Sequence, residues 1–413
     1  MLRVSLPFLA GFLVSYVFRS INALLGPRLA VEFSLSASQL GLLTGSYFLA
    51  FIVVQLPLGM LLDRYGPRRV NGVLFVAACA GGLLFAGARD FGDLLAARTL
   101  FGLGVSAALM GAMQAYVLWY PRERLAVQIS VVYATGGVGA LLTSFPLAWL
   151  LGFTGWREVF TGLALASLGV TAAMFLWVPE RTAPRRPLDL RSQFAGLAAV
   201  LADPGLRRVA VAVTTGQFVV GPLINLWVST WLRDVAGFGE RAVAWMLAAN
   251  AVAMIVGYLV YGRLADAMVR RGGTEFRVYA GSLAATLVML APLALAGMLG
   301  TVPPWVAVLL WPAFTACGMG AAVAFSIGNR RFPPEYAGRV STVLNLFTLI
   351  AMFIGQWAVG AVIGLFPGSA AGYAPEAYVV ALGAQWLLLA AALAWLWSGR
   401  RLFEPRGEAA PST

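Results

Sequence analysis

The sequence predicts an all-α membrane protein, with twelve transmembrane helices in two pseudo-symmetric six-helix bundles. Three observations carry that expectation. Hydrophobic residues make up 60% of the 413 and charged residues only 11%, where a soluble protein carries roughly 25% charged. Twelve apolar runs are long enough to cross a bilayer, which takes about 20 residues each. Finally, the segment GMLLDRYGPRR from Gly59 to Arg69 returns as GRLADAMVRR from Gly262 to Arg271, with Gly59 and Gly262, and Asp63 and Asp266, both 203 apart. A mean hydropathy of +0.83 agrees that most of the surface faces lipid.

The runs lie at about 6–25, 40–61, 70–88, 94–118, 126–150, 158–178, 208–232, 243–263, 277–299, 305–328, 340–365 and 376–398, with boundaries loose by several residues. The first has no small-x-small exit site and Arg19 interrupts it, so it reads as an uncleaved span. Gly and Pro inside these runs are compatible with membrane helices. The longest polar stretch, Pro179 to Gln193, divides the chain. The expected organisation is therefore an N-terminal bundle at 1–178, a cytoplasmic linker at 179–206, a C-terminal bundle at 207–399 and a tail at 400–413. Within the linker, 194–206 suits a helix lying on the membrane surface. A second internal match supports duplication: Tyr120-Pro121-Arg122-Glu123 is echoed by Phe332-Pro333-Pro334-Glu335.

The net charge of +12 comes from arginine alone, since lysine is absent. If the N-terminus is cytoplasmic, 22 of the 29 arginines fall on that side. This is the positive-inside pattern, and it places both termini in the cytoplasm. Anionic membrane lipids suffice as partners for this charge, with no nucleic acid needed. With no histidine there is neither a Ser-His-Asp triad nor an HExxH zinc site, and with no lysine there is no GxxxxGK phosphate loop. No enzyme, cofactor or metal is expected. Cys79 and Cys317 lie singly in two spans and read as packing residues.

The Gly59–Arg69 pattern resembles the loop between the second and third helices of major facilitator superfamily (MFS) transporters. Arg98-x-x-x-Gly102-x-Gly104 opening the fourth span, and Trp156-Arg157 before the sixth, resemble further marks of that family. The resemblance covers about residues 6–398 and implies a solute carrier working by alternating access from a site between the halves. It implies gating roles for Asp63, Arg64, Arg68, Arg98 and Asp266. The second motif departs from the pattern at Ala267 and Met268.

Arg19 lies about 13 residues into the first run, hence roughly 20 Å deep at 1.5 Å per residue. A charge at that depth is costly. Ser15, Arg19, Asn22 and Gly26 share one helical face. Two readings are open: a site for an anion, because guanidinium grips carboxylate or phosphate with two prongs, or a brace pairing with backbone carbonyls or reaching the outer edge. An arginine in the first span resembles the organophosphate:phosphate antiporters and anion:cation symporters of the family. The antiporters carry a second arginine in the seventh span, where this chain has Gly221 and Pro222. A single arginine suits a monovalent organic acid.

Neutral polar candidates for the substrate site are Gln114 and Tyr133 in the first half and Gln217, Asn225, Asn345 and Gln356 in the second. Each is read either as a ligand contact or as interhelical packing. All 17 acidic residues fall in loops or at span ends; Glu32 and Asp234 are the nearest carboxylates for coupling to a proton or sodium ion. The reading is thus a monomeric secondary transporter of a small organic anion, with a carboxylate preferred, in a bacterial cytoplasmic membrane. An exporter of drugs or metabolites, and a non-transporting receptor or scaffold, are the alternatives.

Overall fold

A computed structural model of the chain describes residues 2–180, 200–298, 302–333, 336–367 and 372–404. Residues 194–199 of the expected surface helix at 194–206 lie outside these residues, and its last three, from Pro204, open the seventh span. Among the described residues there is no β-strand, and twelve helices are long and apolar enough to cross a membrane. The spans are Leu2–Ser20, Ala37–Gln55, Pro57–Ala86, Phe91–Trp119, Val131–Leu150 and Trp156–Trp177 in the first half. The second half has Pro204–Asp234, Glu240–Arg270, Glu275–Met298, Pro304–Arg330, Gly338–Ile363 and Pro375–Ser398.

Local chemistry sets the ends of these helices. Ser36 begins the second span with a capping box: its Oγ accepts from the Gln39 N–H at 3.2 Å, and Gln39 Oε1 accepts from the Ser36 N–H at 2.9 Å. Asp90 caps the fourth span through the Asp93 N–H and Asp203 the seventh through the Leu206 N–H. Gly66, with φ of 78°, makes the kink within the helical stretch Ala37–Ala86 that holds the second and third spans, in a left-handed region that a side chain disfavours.

Most spans are at least as long as the apolar runs, and several are interrupted. Past Ile21, which keeps helical backbone angles, the first span continues as the helix Asn22–Glu32. The fourth, fifth, seventh and tenth are interrupted, the seventh by a π-helical segment at Leu223–Trp227. Spans one, four, seven and ten each open a group of three, which fits a chain built from three-helix units.

Small residues bring the two halves together. A Cβ at Gly41 of the second span would collide with the Gln356 carbonyl of the eleventh, and one at Gly360 with the Ala37 carbonyl. Phe145 stacks on Trp245 at 4.5 Å, and Arg28 pairs with Glu240 at 2.6 Å. These contacts lie toward the helix ends remote from the termini. At the terminus-bearing end, Gly59, Gly262 and Gly338 have open space beside them.

Candidate functional site

The first, fifth, seventh, eighth and tenth spans enclose a recess of about 550 Å³ between the halves, part of it continuous with the outside. Arg19 enters it from the first span. Its guanidinium lies 5.4 Å from the centres of the Tyr16 and Phe48 rings, and its Nη2 donates to Met352 Sδ at 3.6 Å. No carboxylate among the described residues pairs with it, and none lines the recess. A guanidinium held between aromatic faces and a thioether keeps donors available for an anion, because sulfur is a weak acceptor.

The opposite wall is neutral. Asn225 faces the recess from the π-helical turn, with its Nδ2 donating to the Gly221 carbonyl at 2.7 Å. Such turns recur at functional positions, since the extra residue rotates side chains out of the α-helical register. Asn250 and Thr315 come from the eighth and tenth spans, and Thr315 donates to Asn250 Oδ1 at 3.3 Å. Thr143 donates to Ser20 Oγ at 2.9 Å on the first-half side. Tyr258, also on the eighth span, is close enough to Arg19, Tyr16 and Tyr133 to interact with them electrostatically. Sequence reading did not single out Asn250, Thr315, Thr143 or Tyr258. A lone amide in the run Trp245–Tyr258 was the available signal, because polar groups at mid-span are costly and tend to be functional.

The expected site residues separate into different places. Arg19 and Asn225 share the recess. Asn22, expected on the Arg19 face, is fully buried inside the first half: its Nδ2 donates to Thr44 at 3.0 Å and its Oδ1 accepts from Arg98 at 2.8 Å. Spacing explains the divergence: Ile21 keeps helical backbone angles, and three residues at 3.6 per turn set Asn22 about 60° round the helix from Arg19, on the side facing the first half. Gln114 reaches the terminus-bearing end instead, where its Nε2 donates to Asp63 Oδ1 at 2.9 Å. Gln356 is buried against the Pro222 carbonyl at 3.5 Å. Tyr133 is exposed, and Gln217 and Asn345 are half-buried outside the recess lining.

The expected gating residues also have partners within one half. Arg68 donates to the Phe175 carbonyl at 2.6 Å and, with Arg69, pairs with Glu180. Arg64 lies over the Tyr65 ring. Arg98 is fully buried, with Nη1 on Asn22 and its charge near the Tyr47 and Phe101 rings. Asp266 is exposed and forms no ion pair among the described residues. Of the two edge carboxylates, Glu32 accepts from Trp156 Nε1 at 2.7 Å and Arg157 at 2.6 Å. Burial pushes the Glu32 carboxyl up, but these donors and the guanidinium charge outweigh it and hold it below the usual range. Asp234 accepts from the Tyr378 hydroxyl at 2.6 Å and the Tyr373 N–H at 3.2 Å.

Residues 7–356 match the family profile described as Major Facilitator Superfamily. The chain belongs to the major facilitator superfamily. Among MFS relatives, it is 26% identical over 300 residues to the "Probable sulfoacetate transporter SauU" of Cupriavidus necator, covering 68% of this chain and 70% of that protein. It is 21% identical over 384 residues to the "Probable galactarate/D-glucarate transporter GudP" of Escherichia coli, covering 85% and 84%. In fold it matches an inward-facing structure of a bacterial homolog of the human lysosomal transporter Spinster, with a TM-score of 0.79, 19% identity and 97% of both chains covered. The nucleoside transporter NupG gives a TM-score of 0.77 at 13% identity, covering 96% of this chain and 100% of that one. The MFS fold of twelve membrane helices is thereby shown. The protein is a multi-pass membrane transporter rather than an enzyme.

Proposed function

We propose that this MFS transporter moves a small organic anion across a bacterial cytoplasmic membrane by alternating access, with Arg19 holding the acid group. The observation that carries the reading is Arg19 itself: a guanidinium in a recess between the halves, with no carboxylate partner among the described residues. An unpaired charge at that depth is strongly disfavoured unless a ligand supplies its complement. The relatives named for sulfoacetate and for galactarate and glucarate support an organic acid as cargo. Asn225 contributes neutral polarity from the second half. Both termini lie in the cytoplasm in this reading, because 22 of 29 arginines then face it. The carrier works as a monomer among anionic lipids.

With no carboxylate lining the recess among the described residues, coupling to a proton or sodium ion would run through an edge carboxylate such as Glu32 or Asp234, or be replaced by exchange. Uptake of radiolabelled sulfoacetate, glucarate and simple carboxylates into proteoliposomes, with and without a pH or sodium gradient, tests both substrate and coupling. Accumulation of at least one anion, lost in Arg19→Gln, is expected. Equal uptake by wild type and Arg19→Gln would overturn the reading.

A further inference from the structure

Asn250 stands ten residues into the eighth span, which starts at Glu240, and lines the same recess as Arg19. Only 6% of it is exposed. Its Oδ1 is occupied by the Thr315 hydroxyl at 3.3 Å, while its Nδ2 has no acceptor among the described residues. A buried amide N–H left without a partner is destabilising, so such groups are rare unless something fills them. The neighbouring polar groups are already engaged: Asn225 Nδ2 donates to the Gly221 carbonyl and the Thr143 hydroxyl to Ser20 and Ala140. Asn250 is therefore an uncommitted neutral donor in the recess. Beside it the wall is apolar, formed by Leu247 and Met254.

We infer that Asn250 is a second substrate-recognition residue, whose Nδ2–H donates to a neutral oxygen, such as a hydroxyl, on the far end of a short organic anion held by Arg19. The inference rests on the reading of Arg19 as the anion contact. It favours short oxygen-bearing acids over plain alkyl or aromatic acids, which would leave the donor unsatisfied. Thr315 is a positioning residue: by donating to Oδ1 it fixes the amide at the recess wall and leaves Nδ2 without a partner among the described residues. Because Arg19 belongs to the first half and Asn250 to the second, a molecule touching both ties the halves together. Occupancy then favours states in which the two walls are close.

Two probes isolate the effect. Isethionate (2-hydroxyethanesulfonate) and ethanesulfonate carry the same sulfonate and the same charge, and differ by one hydroxyl. Binding of each to the purified full-length protein is measured by calorimetry. Wild type should bind isethionate about tenfold more tightly, the ratio expected for one buried neutral hydrogen bond. Asn250→Leu, which keeps the volume but removes the amide, should bind the two equally. Thr315→Val should reduce the preference without abolishing it. The comparison of probes on wild type needs no variant to fold, and thermal unfolding reports whether each variant does. Equal binding of the probes by wild type, or a preserved preference in folded Asn250→Leu, overturns this inference and leaves the Arg19 reading intact. Wild type that binds neither probe, or Arg19→Gln that binds both as tightly as wild type, overturns the Arg19 reading and this inference with it.

Discussion

Arg28 of the first span's outer extension and Glu240 at the start of the eighth span form a two-pronged pair across the halves, with Nη2–Oε2 at 2.6 Å and Nε–Oε1 at 3.3 Å. It is a charged link between the two bundles at the end where they meet. Any state open at that end must break it. Both side chains are partly exposed, so the link is worth only about 0.2–1 kcal/mol.

Glu240→Gln should therefore shift the conformational equilibrium modestly toward opening at that end, by up to about fivefold. A cysteine placed at Thr143, in the recess, reports the shift through its rate of labelling by an impermeant reagent added from that side. The charge-reversed pair Arg28→Glu with Glu240→Arg should return the rate to the wild-type value. An unchanged rate in Glu240→Gln shows that the pair is ornamental to the equilibrium.

Arg19→Gln should lose anion binding by roughly 30-fold to several-thousand-fold, the equivalent of about 2–5 kcal/mol for losing one partner of a buried charged contact. Arg19→Lys should fail as well, because a point charge does not reproduce the planar fork. An amide analogue of the substrate should bind wild type poorly and bind Arg19→Gln no worse. If the helix merely needs a brace, charged and neutral analogues will suffer alike.

Asp63→Asn should express normally and transport at least several-fold more slowly. The structure adds a second arm, since Asp63 Oδ1 accepts from Gln114 Nε2 at 2.9 Å. Gln114→Leu should then slow transport in the same way while leaving anion affinity unchanged. Loss of affinity in Gln114→Leu would instead put that residue at the substrate.

Acid should loosen the start of the seventh span. Burial raises the Asp203 carboxyl, but hydrogen bonds from Arg331 and the Leu206 N–H, with the guanidinium charge, hold it below its usual value. A depressed carboxylate stabilises the fold above its unfolded pKa, about 3.9, and that contribution is lost as pH falls through the folded value. The melting temperature of Asp203→Asn should lie below that of wild type near pH 6, and the gap should narrow as the pH falls below the unfolded value. A gap that does not change with pH rules out the ion pair as its cause.

Topology is open to a direct test in a background lacking Cys79 and Cys317. Cysteines at Ser34 and Thr274 should label from opposite faces, with Thr274 cytoplasmic. Labelling of both from one face contradicts the assigned orientation.

The number and order of spans were legible because each run is apolar over a whole bilayer thickness, and the Gly59 and Gly262 loops repeat at a fixed offset. Arg19 was legible for a related reason: a charge within such a run stands out. What periodicity could not supply was how finely a helical face divides. Asn22 is three residues from Arg19, about 60° round the helix, and that is enough to turn it into the first half to meet Arg98. Nor could spacing along one helix reveal which helices meet. Asn250 and Thr315 are 65 apart and adjoin only after the second half has folded. Gln114 shows the converse, a mid-sequence amide whose partner at Asp63 lies at the membrane's edge rather than in the recess.

The lone guanidinium of Arg19 also makes the carrier an electrical object. An empty recess holds one positive charge, a monoanion-filled recess is neutral, and a dianion-filled recess is negative. Moving one charge through the whole membrane field is worth about 2.3 kcal/mol per 100 mV. An inside-negative voltage would thus draw the empty recess toward the cytoplasmic face and leave the monoanion-filled one indifferent. Voltage would then govern the unloaded half of the cycle, and the valence of the cargo would decide whether the loaded half carries current. Charge displacement recorded on a supported membrane should fall when a saturating monoanion is added and vanish in Arg19→Gln, whereas a signal indifferent to both would show that Arg19 does not move through the field.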